Sequence, residues 1–254
     1  MIIAEALRST ADALRDYSDA PDIDAQQMIL HILRKREPST LLAHATDTLL
    51  EEQLRKITFM TEKRMTGMPL AYILREADFY GRTFMVTPDV LIPRPDTETL
   101  IEKTLEYIKN NFADNKEITI ADIGTGSGCI AITLAKELPE HCRIVATDIS
   151  EAALAVATQN AHRHGAQNRI TFLQGDLVSP LHGIHIDLIV SNPPYVPTDE
   201  VDRAGTSRDT RGLTFEPRIA LDGGIDGQNF VDQIKRSGIP AIIETIGGTI
   251  ITTQ

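Results

Sequence analysis

The amino-acid sequence predicts an α/β protein in which a small helical bundle precedes a doubly wound, mostly parallel sheet. Two patterns predict this fold class. Apolar side chains recur at helical spacings through residues 1–74, as they do in amphipathic helices. From about residue 95, short apolar segments typical of buried strands alternate with segments long enough for helices. This alternation favours a parallel sheet covered by helices on both faces.

The N-terminal bundle is predicted from two amphipathic segments. Residues 22–35 repeat apolar side chains at helical spacing, and residues 48–66 form a second such segment, which Gly67 ends. Glycine after the last periodic residue is a common helix stop. We therefore treat residues 1–74 as one helical domain.

Residues 75–94 are predicted to be a hairpin followed by a linker. The run DFYGRTFMV places aromatic and β-branched residues on both sides of Gly81 and Arg82, which we expect at the turn. Pro93 and Pro95 then fix their own φ angles and restrict the residues before them. The segment that joins the two domains is therefore stiff.

The second domain is predicted to span residues 95–254. Its helices are expected at 96–112, 129–138 and 151–164, and its first four strands at 118–123, 143–148, 169–174 and 186–192. After Pro240, the run AIIETI predicts a further helix. A turn at Gly247 and Gly248 would then lead into TIITTQ as a fifth strand.

Composition argues against several classes of function. The chain has 36 acidic residues and 25 Lys and Arg, a net charge of −11, so it lacks the basic footprint of non-specific nucleic-acid binding. No signal peptide is predicted in the first twenty residues, and no apolar run reaches the roughly 20 residues of a membrane helix. Cys129 and Cys142 form no CxxC pair, and His162 and His164 lack metal-ligand partners. We expect a cytoplasmic protein without a metal site.

A glycine-rich loop follows the first predicted strand of the sheet and consists of Gly124, Thr125, Gly126, Ser127 and Gly128. Its glycines allow a tight turn and a close approach to a ligand, and the next helix begins there. The loop lacks the third glycine of the dinucleotide fingerprint and the lysine of a P-loop. A glycine-rich turn without a ligand is the alternative. The i, i+2, i+4 spacing resembles the cofactor loop of S-adenosylmethionine-dependent methyltransferases.

Acidic residues follow the next two predicted strands. Asp148 ends the second strand, where a carboxylate can accept hydrogen bonds from both hydroxyls of an adenosine ribose. Its alternative role is to cap the helix that follows Ser150. Asp176 and Leu177 follow the third strand, at a position suited to the edge and face of adenine. An ordinary loop is the alternative there.

The run Asn192, Pro193, Pro194 and Tyr195 lies at the carboxyl end of the fourth predicted strand, where open parallel sheets bind ligands. Two prolines stiffen the turn, so that the Asn192 side-chain oxygen and the Pro193 carbonyl form a fixed pair of acceptors. A planar NH2 group fits two acceptors, and the Tyr195 ring can lie against it. A proline turn that merely ends a strand is the alternative.

Together these segments resemble the release factor glutamine methyltransferases, the HemK-like family. Further runs are similar to the family's inter-domain segment (69–73), its I-P-R-P-x-T-E signature (92–98) and its late loop (215–227). The resemblance covers roughly residues 22–230. The sequence departs from it at Arg75, where many members have glycine. Members also usually continue past the fifth strand with an antiparallel strand pair, which we expect this chain to lack.

The resemblance implies a Rossmann-like domain that uses S-adenosyl-L-methionine. It implies methylation of the side-chain amide of the glutamine in the Gly-Gly-Gln motif of class-one peptide-chain release factors. By this resemblance, the helical domain recognises the protein substrate, and we expect a monomer. The cofactor is assigned to Gly124 through Gly128, Asp148, Asp176, Leu177 and Asn192. The substrate is assigned to Asn192 through Tyr195, together with Arg94 and Glu98.

Two alternatives remain from the sequence. DNA adenine-N6 methyltransferases use a similar proline turn to hold an exocyclic amino group, but they need base flipping and a basic surface. A shortened relative that binds the cofactor or a partner with weak activity is the other alternative.

Overall fold

The computed structural model describes residues 1–113, 117–207 and 210–253, and these form two compact units. The first unit contains Met1–Arg75 and Gly205–Phe215, and the second contains Glu76–Ala204 and Glu216–Gln254. The predicted boundaries differ in two places. The hairpin and linker belong to the second unit, and a short later segment belongs to the helical unit. Within the described residues, no helix combines the length and apolar character that crossing a membrane requires.

The first unit is helical, as predicted. Its helices are α1 (Ile3–Leu14), α2 (Pro21–Leu33), α3 (Ser39–Ala43), α4 (Glu51–Met65) and α5 (Leu70–Leu74). Buried apolar residues from α1, α2 and α4 form its core. Arg75 ends α5 with a φ of +59°, in the left-handed region. Glycine is the residue that adopts this conformation most readily, so the glycine that the resemblance leads us to expect at this position would fit this backbone.

The hairpin of the second unit consists of β1 (Glu76–Phe79) and β2 (Arg82–Met85). The predicted turn at Gly81 and Arg82 is wrong by one residue, because Tyr80 and Gly81 form the turn with φ angles of +49° and +69°. Two consecutive positive φ angles give the twist that a two-residue hairpin turn needs.

The remaining elements of the second unit form a doubly wound sheet. Its strands are β3 (Ile118–Ile123), β4 (Cys142–Asp148), β5 (Ile170–Gln174), β6 (Leu188–Ser191), β7 (Ala241–Thr245) and β8 (Thr249–Thr253). Its helices are α6 (Asp96–Asn111), α7 (Cys129–Glu137), α8 (Glu151–His164), α9 (Thr198–Asp202) and α10 (Asn229–Arg236). The strand order is β5-β4-β3-β6-β7-β8, and only the β7–β8 pair is antiparallel among these neighbours. The predicted fold class is confirmed.

The end of the sheet differs from the sequence prediction in the helix expected after Pro240 and in the antiparallel strands expected to be missing. Residues 241–246 were expected to be helical, but β7 occupies Ala241–Thr245, and every residue of that strand is buried. A run of five buried residues with β-branched side chains suits a central strand better than a helix. The last strand, β8, is antiparallel to β7 and follows a turn at Gly247 and Gly248. One antiparallel strand is therefore present beyond the parallel set.

Alternate residues of β3 enter two different apolar clusters. Ile118 and Ile120 belong to one cluster, and Ala121 and Ile123 belong to the other. Successive side chains of a strand point to opposite faces, so both faces of the sheet are covered. The carboxyl ends of the parallel strands lie along one edge of the sheet. The order in which the strands are added reverses between β3 and β6, which are neighbours in the sheet. Ligands of doubly wound folds bind at such a switch point.

Asp122 lies near the end of β3 and is fully buried. Its Oδ2 accepts hydrogen bonds from the Thr125 hydroxyl (2.6 Å) and the Ala131 N–H (3.1 Å). Its Oδ1 has no hydrogen-bond partner among the described residues. Burial raises the pKa of Asp122 from 3.8 to about 7. The carboxyl therefore joins the glycine loop to the first turn of α7.

Asp122→Asn is expected to remove a pH-dependent penalty on folding. Because the pKa of Asp122 is higher in the folded protein, the folded state binds more protons than the unfolded state between about pH 4 and about pH 7. The free energy of unfolding therefore falls as the pH rises through that window. Asparagine keeps the acceptor for Thr125 and Ala131 without the charge. Urea unfolding across the window should show the variant gaining stability relative to the unmodified protein, and a pH-independent difference would contradict this account.

Candidate active site

A cavity at the carboxyl edge of the sheet brings most of the predicted site residues together. The predicted residues that line it are Arg94, Gly124, Thr125, Gly126, Ser127, Asp148, Asp176, Leu177, Asn192 and Pro194. They come from the ends of β3, β4, β5 and β6 and from the segment before α6. Segments far apart in the sequence therefore share one cavity within the second unit.

The glycine loop turns its backbone N–H groups toward the protein. The N–H groups of Gly124 and Thr125 both donate to the Thr147 carbonyl at 2.9 Å, and the N–H of Gly126 donates to Asp148 Oδ2 at 2.9 Å. A phosphate-binding loop instead directs such groups at its ligand. This loop therefore suits a ligand that does not need a phosphate cradle.

Gly124 and Gly126 leave space in the cavity wall. Their φ angles are +70° and +54°, in the region that favours glycine. A side chain at Gly124 would meet no protein atom within 4 Å, and one at Gly126 would only reach the Gly124 carbonyl oxygen. A Cβ at either position would instead occupy open space beside the loop. The loop is therefore shaped for close approach of a ligand.

Asp148 lines the cavity between the glycine loop and the start of α8. Its Oδ1 accepts the Ser150 N–H at 2.9 Å, while Oδ2 accepts the Gly126 N–H. The helix α8 has its own cap, since the Ser150 hydroxyl accepts the Ala153 N–H. Burial raises the pKa of Asp148. Each carboxylate oxygen retains a lone pair for a ribose hydroxyl.

The segment after β5 closes another side of the cavity. Leu177 has a φ of +47°, an uncommon conformation for a residue with a branched side chain. The Thr147 hydroxyl donates to the Leu177 carbonyl at 3.4 Å. The N–H of Gly175 donates to the Asp148 carbonyl at 3.0 Å. These bonds tie Asp176 and Leu177 to the end of β4.

Asn160 supports the glycine loop from behind. This residue of α8 is fully buried, and its Nδ2 donates to the Ser127 carbonyl (2.8 Å) and to the Met85 carbonyl (2.9 Å). Its Oδ1 accepts the Met85 N–H at 2.7 Å. One amide thereby connects the hairpin, α8 and the loop. Sequence reasoning did not identify Asn160, because nothing in the pattern of α8 distinguishes it from a surface asparagine.

Asn192 follows β6 and has a defined orientation. Its Nδ2 donates to the Thr97 hydroxyl oxygen at 2.9 Å. Its Oδ1 receives no hydrogen bond from the described residues. Asn192 and Thr97 both line the cavity, so the amide oxygen is available as an acceptor there.

Four predicted residues lie outside the cavity lining. Gly128 is the N-cap of α7, where a Cβ would lie 3.1 Å from Ala157 Cβ. Pro193 is buried, and the Tyr195 hydroxyl donates to Glu244 Oε1 at 3.4 Å. Glu98 lies at the hairpin turn, where its carboxylate accepts the Tyr80 N–H at 2.7 Å, and its predicted contact with the substrate stays a prediction. The residue of this signature that contacts Asn192 is its neighbour, Thr97.

The late loop packs against the backbone of the proline turn. A Cβ on Gly223 would lie 2.7 Å from the Pro194 carbonyl oxygen and 2.7 Å from Tyr195 Cα. A Cβ on Gly227 would collide with the Tyr195 carbonyl oxygen. The N–H of Gly223 also donates to the Val196 carbonyl at 2.8 Å. Glycine at these positions lets the loop brace the turn.

Arg94 is held by a buried partner that sequence reasoning did not assign to the site. Its Nη2 lies 2.5 Å from Glu216 Oε1, and Glu216 Oε2 accepts the Ile92 N–H at 3.1 Å. The Glu216 side chain is 3% exposed. The Glu216 carboxylate balances the charge of Arg94, so Arg94 does not present an unpaired cation to the cavity. The ion pair instead holds the proline-rich segment along the cavity.

Comparison with known proteins identifies related domains. The PrmC N-terminal domain family matches residues 5–74, and the methyltransferase small domain family matches residues 99–208. Among solved structures, the hMettl16 catalytic domain in complex with the MAT2A 3'UTR hairpin 6 has a TM-score of 0.50 at 16% identity. That match covers 78% of this chain and 69% of the other, and it supports the fold alone.

Curated relatives carry the most specific similarity. Release factor glutamine methyltransferase from Bacillus cereus is 39% identical over 237 residues, which are 91% of this chain and 78% of the relative. The enzyme of the same name from Bacillus subtilis is 39% identical over 244 residues, covering 95% and 81% of the two chains. That from Moorella thermoacetica is 45% identical over 187 residues, covering 74% and 62%. The chain belongs to the release factor glutamine methyltransferase family.

Proposed function

We propose that this protein transfers the methyl group of S-adenosyl-L-methionine to the side-chain amide nitrogen of the glutamine in the Gly-Gly-Gln motif of class-one peptide-chain release factors. It would thereby support translation termination. The orientation of Asn192 carries this proposal, because its Nδ2 is bound to Thr97 and its Oδ1 remains an acceptor beside Asp148 and the glycine loop. A carboxamide NH2 group matches such an acceptor. Membership of the family supports the same reaction.

The cavity residues fit S-adenosyl-L-methionine. The open space beside Gly124 and Gly126 admits a ligand close to the backbone. Asp148 would accept the ribose hydroxyls, while Asp176 and Leu177 would flank the adenine. The inward-facing N–H groups of the loop also match this cofactor, which carries no phosphate.

The chain's own residues would act mainly by orientation and by hydrogen bonding. S-adenosyl-L-methionine supplies an electrophilic sulfonium methyl group, so that the nitrogen–carbon bond forms as the carbon–sulfur bond breaks and its electron pair returns to sulfur. Asn192 Oδ1 would accept one of the amide N–H groups and raise the electron density on nitrogen. Such bonds strengthen toward the transition state. The methylated nitrogen then releases a proton to water.

The helical unit is the proposed recognition domain for the release factor. It is a separate compact body with its own core, and it matches the PrmC N-terminal domain family. The segment Gly205–Phe215 belongs to this unit, and the chain continues from it directly into Glu216, the partner of Arg94. Because release factors act on ribosomes, we place the enzyme in the cytoplasm, and we expect a monomer.

Methyl transfer to release factors tests this proposal directly. The protein is incubated with methyl-labelled S-adenosyl-L-methionine and a release factor that carries Gly-Gly-Gln. A Gln-substituted factor and duplex DNA serve as the controls. Label on the unmodified factor alone is expected. Label on DNA would favour adenine methylation, which the net charge of −11 disfavours. Cofactor affinity without transfer to any acceptor would indicate a binding-only relative.

Asn192→Ala and Asn192→Asp should each lower turnover by about 100-fold or more. The first change removes the acceptor, and the second replaces a neutral amide with a charge at the same place. Calorimetry should find S-adenosyl-L-methionine still bound to both variants, since Asp148 and the glycine loop are unchanged. Turnover of Asn192→Ala close to that of the unmodified protein would refute the assigned role.

Gly223→Ala should lower turnover by about 100-fold, because a displacement of about 1 Å at a reacting group has effects of that size. The added methyl would press on the backbone at Pro194 and Tyr195. Gly212→Ala is the matched control, since neither glycine has a positive φ and a Cβ at Gly212 meets only Pro69 at 3.6 Å. Methyl-transfer assays and circular dichroism on both variants check this. Equal turnover of the two would contradict the bracing role.

A further inference from the structure

Asn160 of α8 is a buried amide that lies behind the glycine loop and outside the cavity lining. Each of its hydrogen-bonding groups has a partner. Nδ2 donates to the Ser127 carbonyl at 2.8 Å and to the Met85 carbonyl at 2.9 Å, while Oδ1 accepts the Met85 N–H at 2.7 Å. The reaction as described above assigns no role to this residue.

The backbone of Met85 determines which way the Asn160 amide faces. Met85 is the last residue of β2, and both its N–H and its carbonyl bind the Asn160 side chain. A backbone N–H donates and a carbonyl accepts, so Oδ1 lies against the N–H and Nδ2 against the carbonyl. The second hydrogen of Nδ2 is thereby left for the Ser127 carbonyl. The hairpin thus orients the group that holds the loop.

The glycine loop rests on one face of α8. A Cβ on Gly128 would lie 3.1 Å from Ala157 Cβ, so the helix packs directly against the end of the loop. Ala157 and Asn160 are three residues apart, which places them on the same side of a helix. The contact with Gly128 and the hydrogen bond to Ser127 therefore come from one helix face.

Ser127 is the point at which Asn160 affects the cavity. Ser127 and its neighbour Gly126 both line the cavity. The end of β4 holds the first half of the loop, up to the N–H of Gly126, and Asn160 holds the next residue. A buried carbonyl that loses its donor is costly, so without the amide Ser127 would leave its place in the cavity wall.

We propose that Asn160 is a positioning residue for S-adenosyl-L-methionine, which sets the glycine loop through the Ser127 carbonyl and is itself oriented by Met85. This inference rests on the cofactor site of the proposed function, because it concerns the loop that the cofactor would approach. The same amide links the hairpin to cofactor binding. A ligand that steadies the loop also steadies the bonds to Met85, since coupling between two sites is reciprocal.

Asn160→Leu tests this arrangement. Leucine keeps the branched shape but leaves the Ser127 carbonyl and the Met85 backbone without partners. Calorimetry should find the dissociation constant for S-adenosyl-L-methionine raised by about 10-fold, as expected for residues that share a hydrogen-bond network. The KM for the cofactor should rise with it, while kcat at saturating cofactor stays within about 2-fold, because Asn192 is unchanged.

His164→Leu is the matched control on the same helix. The His164 Nε2 lies 3.0 Å from the Thr83 carbonyl of the hairpin, and within the described residues no hydrogen bond joins His164 to the glycine loop. This variant loosens the hairpin but leaves Ser127 held, so the affinity for S-adenosyl-L-methionine should change by no more than about 2-fold. Thermal unfolding of both variants separates the effect on the loop from a general loss of stability.

Hydrogen exchange of the unmodified protein is a readout that needs neither turnover nor a variant. Binding of S-adenosyl-L-methionine should slow the exchange of the Met85 N–H, because that group donates to Asn160. If Asn160→Leu does not fold, this measurement decides the inference.

The two proposals fail in different ways. An unmodified protein that binds S-adenosyl-L-methionine but methylates no release factor would overturn the proposed function, and cofactor affinity and exchange would still decide this inference. Equal affinity of Asn160→Leu and His164→Leu for the cofactor, or exchange at Met85 that the cofactor leaves unchanged, would overturn the inference.

Discussion

The hydrogen bond from Asn192 Nδ2 to the Thr97 hydroxyl spans 2.9 Å and commits the donor end of the amide to the protein. The acceptor end is thereby left for a ligand. An asparagine side chain is both donor and acceptor, so a turn with a freely rotating amide could bind an NH2 group or a carbonyl oxygen. With Nδ2 bound to Thr97, Asn192 offers an acceptor, which suits the NH2 group of the proposed glutamine substrate. The direction of hydrogen bonding at one residue thus limits the substrates that the cavity can accept.

The backbone hydrogen bonds of the glycine loop likewise limit the kind of cofactor that the cavity can bind. The loop follows a strand and precedes a helix, as phosphate-binding loops also do. Its N–H groups at Gly124, Thr125 and Gly126 are occupied by the end of β4. The ligand therefore meets glycine surfaces and the Asp148 carboxylate, which suit a nucleoside with free ribose hydroxyls. Two loops of similar composition can serve different ligands because their donors point in different directions.

Support for the proline turn comes from segments that are distant in sequence. Thr97 of α6, Gly223 of the late loop and Glu244 of β7 each contact a residue of this turn. Close approach at Gly223 requires the absence of a side chain, and the buried Glu244 accepts a hydrogen bond from the Tyr195 hydroxyl at 3.4 Å. These constraints act together, which explains why matches to the family extend well beyond the N-P-P-Y run.

The sequence by itself determined the alternation of strands and helices, the glycine loop, Asp148 and the proline turn, because each depends on local periodicity or on a short run of residues. The tertiary structure alone decided the rest. Ala241–Thr245 became a strand because the interior of the sheet surrounds it, an environment that a run of five residues cannot specify by itself. Glu98 and Thr97 are adjacent in one signature, and only folding showed that the first binds the hairpin turn and the second binds Asn192. Glu216 is separated from its partner Arg94 by more than a hundred residues, and sequence patterns of helical or strand period carry no information about contacts at that separation.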